Sequence, residues 1–103
     1  DVELAVKFIC GSQRYDGGIS QGGCKESHGG STYCAVAALA LMGRSVFFCL
    51  FCSQINFALR LDSSIDKEAL IDWLSARQST GFQGRVNKVP DSCYGFWCGA
   101  SLQ

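Results

Sequence analysis

The sequence is poor in charge, in proline and in histidine. Nine Lys plus Arg stand against nine Asp plus Glu, giving a formal net charge of zero, and 17% of the 103 residues are charged where a globular domain carries roughly 25%. No polybasic block exists, which excludes recognition of nucleic acid through a charge field. With 48% apolar residues the chain is too hydrophobic for a disordered segment and too weakly charged for a simple coiled coil. The single proline excludes a Pro-rich linker. Neither an initiator Met nor a charged-then-apolar leader opens the chain, so no secretory signal is read; the sequence is expected to be a segment of something longer, sized for one small domain.

A membrane span is also unexpected. Residues 45–59 are uncharged but number fifteen, short of the ~20 a bilayer requires. Joining them to residues 29–43 would supply the length, but Arg44, Ser53, Gln54 and Asn56 make insertion costly.

Cysteine is abundant, with seven in 103 residues. A secreted disulfide scaffold favours an even set in a weakly apolar chain. Here the number is odd, and Cys34, Cys49, Cys52 and Cys98 sit within apolar runs, where a free thiol behaves as a small hydrophobe. Reduced cysteines and a cytoplasmic location are the expectation. Cys49 and Cys52 have C-x-x-C spacing, but no second pair follows, so packing is the simpler account than metal binding.

The apolar spacing predicts helices. Residues 2–12 carry apolar side chains at 2, 5, 6 and 9; residues 31–42 are apolar all round and stop at Gly43, as suits a helix inside a helical assembly. Ser63 and Asp66 resemble a capping box before a helix with Leu70, Trp73 and Leu74 on one face, ending near Gln78, and residues 94–102 form a second inner helix. The halves repeat: a shift of 63 pairs Gly18 with Gly81, Ile19 with Phe82, Tyr33 with Phe96, Ala37 with Ala100 and Leu39 with Leu102, and sets His28 opposite Asp91. Each unit is an outer amphipathic helix, a Gly-rich loop and an apolar inner helix. The chain therefore divides into a first repeat at 1–43, an atypical apolar insertion at 44–61 and a second repeat at 62–103. The insertion is either a true insert or non-native sequence from an imperfectly assembled gene. Such units need neighbours to bury their faces, so exposed hydrophobic surface is expected of the segment alone.

Chemistry concentrates before the inner helices. Arg85 and Lys88 place two cations ahead of a helix N-terminus, which suits a phosphate or diphosphate. Asp91 and Cys93 offer an oxygen and a sulfur two residues apart, both of which zinc accepts. The plainer alternative is that Asp91 caps the helix, Cys93 packs, and the two cations are a solvated loop face. His28, followed by Gly29 and Gly30, is either a structural hydrogen-bonder or a ligand contact. By the repeat it opens on the same side as Asp91. Tyr33, Cys34, Phe96 and Trp97 fall one turn deeper, where they line either an apolar pocket or ordinary helix packing.

The runs ESHGGSTYC at 26–34, GFQGR-x-NK at 81–88 and PDSCY-x-FW at 90–97 resemble the β subunit of protein prenyltransferases, nearest to protein geranylgeranyltransferase type I. The resemblance covers about residues 1–43 and 62–102 in matching order; Ser31-Thr32 favours the geranylgeranyl type over the farnesyl type. It implies an all-α fold, part of an α/α toroid, working as a heterodimer with a prenyltransferase α subunit. Asp91 and Cys93 would be two of three protein ligands of a catalytic Zn2+; the third, a histidine, would lie beyond Gln103. His28, Arg85, Lys88 and Tyr94 would hold geranylgeranyl diphosphate by its diphosphate, and Tyr33, Cys34 and Trp97 would face its hydrocarbon chain. Asp91, Cys93 and Tyr94 would be the catalytic set, and the acceptors would be CaaX-terminated proteins such as small GTPases. This exact chain alone would be inactive. The alternatives are a protein farnesyltransferase β subunit, a non-catalytic helical interaction module, and a terpene-cyclase-like toroid, against which the Asp-x-Cys pair and the GR-x-NK run argue.

Overall fold

A computed structural model describes residues 1–43 and 65–103. Among these it holds four helices: α1 (Val2–Gly11), α2 (Gly29–Gly43), α3 (Lys67–Ser75) and α4 (Ser92–Ser101). No strand occurs among the described residues; isolated bridges pin the loops at Gln13–Ile19, Gln78–Phe82 and Gln83–Pro90. Ser63, Cys49, Cys52 and the 44–61 insertion lie outside the described residues.

The outer helices begin at carboxylate caps. Asp1 accepts from the Glu3 and Leu4 amides at 2.9 and 3.3 Å, and Asp66 accepts from the Ala69 amide at 3.0 Å. Each satisfies amides that the first turn leaves unpaired. Helix α3 buries Leu70, Trp73 and Leu74, whereas α1 has no fully buried residue and rests half-buried Ile9 and Cys10 on the core. Helix α3 stops at Ser75 rather than near Gln78 because the next residues serve the loop. The Arg77 carbonyl accepts from the Gln83 amide at 2.8 Å, and its guanidinium turns back to donate to the Trp73 carbonyl at 3.2 Å and cover the Trp73 ring.

The inner helices begin earlier than apolar spacing predicts, at Gly29 and Ser92, because polar residues cap them. They carry the main packing between elements. Their close approach requires glycine. A Cβ at Gly29 would lie 2.7 Å from Cys98 Sγ, and one at Gly84 only 2.2 Å from Tyr94 Cζ. The core gathers Ile19, Ala35, Ile65, Leu70, Trp73, Leu74 and Cys98. Buried Thr32 clamps Ile19, its hydroxyl accepting from the Ile19 amide at 3.1 Å.

Matching backbone bonds relate the halves. The His28 amide donates to the Ile19 carbonyl at 3.2 Å and the Asp91 amide to the Phe82 carbonyl at 3.1 Å, which is the 63-residue shift. Ahead of the loops the shift becomes 65, from Gln13 to Gln78. The first loop's longer turn docks on α3: Asp16 accepts from Ser27 Oγ at 2.6 Å and from Trp73 Nε1 at 3.1 Å. Gly17, at φ 93°, lies so close that a Cβ would sit 2.0 Å from the Ala69 carbonyl oxygen. The Gln13 amide bonds both polar backbone groups of Asp66, at 2.8 and 2.9 Å. Large apolar side chains remain exposed, among them Leu4, Phe8, Leu41 and Phe96. No helix among the described residues is long and apolar enough to cross a membrane.

Candidate active site at the inner-helix mouths

The Gly29 amide donates to the Gly84 carbonyl at 2.7 Å, joining the backbones that enter α2 and α4. Across this seam Tyr94 Oη and His28 Nε2 lie 3.1 Å apart. His28 Nδ1 accepts from the Gly30 amide at 3.1 Å, so the lone pair is on Nδ1 and, in the neutral ring, the proton is on Nε2. Nε2–H then donates to Tyr94 Oη, and the Tyr94 hydroxyl proton is left to serve another acceptor. Desolvation first, then the negative charge of Cys93 and Asp91 when ionised, raises the Tyr94 phenol above its usual range, while Arg85 acts the other way. Tyr94 is thus a proton donor rather than a phenolate.

Arg85 pairs with Glu26 through Nη1 and Oε1, the only ion pair among the described residues. The turn that follows uses Asn87 at φ 58°, a left-handed conformation that Asn tolerates, and leaves Lys88 exposed. His28 also borders a polar hollow of about 350 Å³ with Gln21, Lys25 and Glu26. Glu26 and Lys25 were not singled out by sequence reasoning. The signals available were the place of Glu26 at the head of the run at 26–34 and their positions two and three residues before His28.

Asp91 is the N-cap of α4, its Oδ1 accepting from the Cys93 amide at 3.0 Å. The capping alternative therefore describes a real contact. Cys93 is exposed among the described residues. The backbone bond from Cys93, followed by a side-chain bond from its thiol, lowers the Asp91 carboxyl. Desolvation, the bond to Asp91 and that group's charge raise the Cys93 thiol. A divalent cation between the two would reverse the rise at Cys93 and reinforce the lowering at Asp91, an oxygen and a sulfur being a pair that zinc accepts. Among the described residues no cluster of three His, Cys, Asp and Glu completes such a site.

Tyr33, Phe96 and Trp97 form one ring cluster, each pair of centroids 5.0 Å apart. Cys34 does not join it. Consecutive helical residues point about 100° apart, and Cys34 lines a separate, mainly apolar hollow of about 380 Å³ between α1 and α2, with Phe8, Ile9, Ile19, Ala35 and Ala38 among its walls. Tyr33 and Cys34 thus face different surroundings. The structure also places Cys34 at the surface, while Cys98 is fully buried. Burial raises the Cys98 thiol, partly offset by Arg77. The five described cysteines are all free thiols.

Helical hairpins joined by Gly-rich loops, with their inner helices packed together, define an α/α toroid architecture. The prenyltransferase alpha-alpha toroid domain family matches residues 1–103, and the chain belongs to this family. It is 44% identical to the geranylgeranyl transferase type-1 subunit beta of Arabidopsis thaliana, over 100% of this chain and 26% of that protein. Identity to the subunit of the same name from Dictyostelium discoideum is 41%, over 97% of this chain and 24% of that protein. The protein farnesyltransferase subunit beta of Pisum sativum is 37% identical over 92% of this chain. The chain spans about a quarter of the length of the two geranylgeranyl-type relatives.

Proposed function

We propose that the chain is part of the β subunit of a protein geranylgeranyltransferase type I, which moves a geranylgeranyl group from its diphosphate to the cysteine thiol of CaaX-terminated proteins, in a heterodimer with an α subunit. The observation that carries this reading is the seam between α2 and α4, where His28, Tyr94 and Arg85 meet at the helix mouth that also bears Asp91 and Cys93. The names of the relatives support the geranylgeranyl type; the Pisum sativum similarity keeps a farnesyltransferase β subunit as the second reading.

In this mechanism Arg85 and Lys88 neutralise charge on the diphosphate, and Tyr94 donates its hydroxyl proton to a diphosphate oxygen. His28, donating to Tyr94 Oη, orients that proton away from itself. As the acceptor sulfur bonds to C1 of the isoprenoid, the C1–O bond breaks and its electron pair leaves with the diphosphate. The donors are in place before charge develops and so favour the transition state. Asp91 and Cys93 would hold zinc together with a histidine outside this sequence; when bound, the metal would supply a Lewis acid that keeps the acceptor sulfur as thiolate at neutral pH. The ring cluster of Tyr33, Phe96 and Trp97 would meet the hydrocarbon chain, whereas Cys34 faces a separate hollow.

The test uses the full-length β subunit with its α partner. One zinc per heterodimer, lost in both Asp91→Ala and Cys93→Ala, together with geranylgeranyl transfer to a CaaX peptide, is the expected result. Zinc content indifferent to both substitutions would refute the metal site, and preference for farnesyl diphosphate would favour the second reading.

A further inference from the structure

We infer that Glu26 is a positioning residue that competes with the diphosphate for Arg85, holding the guanidinium while no anion is bound and favouring departure of the diphosphate after transfer. This rests on the diphosphate reading proposed above.

Glu26 is on the loop that enters α2, Arg85 on the loop that enters α4, and their contact spans the two repeats. The pair is reachable by a dissolved anion, the side chains being 58% and 38% exposed. It lies within the site: Glu26 borders the same hollow as His28, His28 bonds Tyr94, and Arg85 is close enough to stabilise a charge on Tyr94. A guanidinium carries five N–H donors, and Nη1 is the one given to Glu26. Exposed pairs of this kind are weak, while a diphosphate brings more than one negative charge and several acceptor oxygens. The diphosphate therefore displaces the carboxylate. Once displaced, Glu26 remains tethered two residues from His28 and repels the anion that replaced it. After the C1–O bond breaks the free diphosphate is more highly charged than the ester was, so the repulsion grows when release is required. A purely orienting role, in which Glu26 aims Arg85 at the ligand, has the opposite sign, since its loss would weaken binding.

The experiment titrates inorganic diphosphate into the complete heterodimer by calorimetry, at low and high salt, for the unsubstituted protein, Glu26→Gln, Glu26→Asp, Arg85→Ala and Lys88→Ala. Glu26→Gln is expected to bind about fivefold more tightly at low ionic strength, with the difference shrinking as salt screens the repulsion. Glu26→Asp is expected to stay near the unsubstituted value, and Arg85→Ala to weaken binding. Damage to the fold would weaken binding rather than tighten it, so a gain is specific to competition. Unchanged or weaker binding in Glu26→Gln, with Arg85→Ala still weakening it, would overturn the inference and leave the proposed function standing. If Arg85→Ala and Lys88→Ala both bind diphosphate normally, the diphosphate reading fails and the inference with it.

Discussion

His28 before α2 and Asp91 before α4 occupy one place in two copies of the same unit. Each donates its backbone amide to the loop residue 63-shift partners share, Ile19 in one case and Phe82 in the other. Each uses its side chain to accept from the amide two residues on, at 3.1 and 3.0 Å. The second functional atom is what differs. The imidazole caps with Nδ1 and still presents Nε2 to Tyr94 in the other repeat. The carboxylate caps with Oδ1 and stays beside the thiol of Cys93 in its own. A repeat architecture thus supplies two equivalent helix entrances, and the capping residue, already required there, is where each acquires its chemistry.

The largest expected effect comes from separating the two entrances. A Cβ at Gly84 would lie 2.2 Å from Tyr94 Cζ and 2.5 Å from its Oη, so the ring must swing off the seam or the backbones must part. Gly84→Ala in the full-length subunit is expected to cost about 2–3 kcal/mol, as overpacking does. On the proposed function it should also lower geranylgeranyl transfer at temperatures where the variant remains folded, because Tyr94 leaves His28. Gly99, where a Cβ meets nothing within 4 Å, is the comparison site. If Gly84→Ala unfolds in urea no more readily than Gly99→Ala, the close seam is wrong.

The next effect separates cap from chemistry. Asp91→Asn keeps an acceptor oxygen for the Cys93 amide but removes the charge, while His28→Ala removes a cap and leaves Asp91 intact. Asn and Asp are comparable N-caps, and loss of a cap costs ~1 kcal/mol. On the proposed zinc site, Asp91→Asn is therefore expected to keep its stability and lose zinc, whereas His28→Ala should lose about 1 kcal/mol and retain the metal. Metal analysis beside denaturant unfolding reads both. Loss of zinc in both variants, or in neither, would dissolve the distinction.

How much of this was legible in the sequence follows from the range of the interactions. The four helices depend on local apolar spacing and were readable within a few residues. Their starts shifted because caps at His28 and Asp91 act through side-chain geometry, and α3 ended early because Arg77 is committed to Gln83 and Trp73. The 63-residue repeat was readable after the loops. The change to 65 before them was not, because the longer turn at Asp16 and Gly17 has meaning only once it docks on Trp73 and Ala69. At the site, Asp91, Cys93, His28, Arg85 and Lys88 were visible as residue types near helix entrances. The Glu26–Arg85 contact was not, since it joins loops 59 residues apart. The separation of Cys34 from Tyr33 was legible as rotation about one helix axis, but which surroundings each would meet was not. The roles of these residues came from family resemblance rather than from spacing.

The smallest effect compares the two outer helices, which share a capping chemistry and differ in burial. Asp1 and Asp66 both accept from first-turn amides. Asp66 heads a helix that buries Leu70, Trp73 and Leu74 and is itself bonded through its backbone to Gln13. Asp1 heads a helix with no fully buried residue, whose half-buried core contacts, Ile9 and Cys10, lie two turns away at its other end. A cap stabilises a protein only so far as its helix is coupled to the cooperative core, since a helix end that frays independently does not change global unfolding. Asp66→Ala is accordingly expected to lower the unfolding free energy by about 1 kcal/mol. Asp1→Ala should leave global unfolding unchanged and speed amide exchange in α1 alone. Equal losses from both would mean that α1 is held against the rest of the full-length subunit as firmly as α3. In that case the exposed Leu4 and Phe8 are covered there by a neighbouring unit.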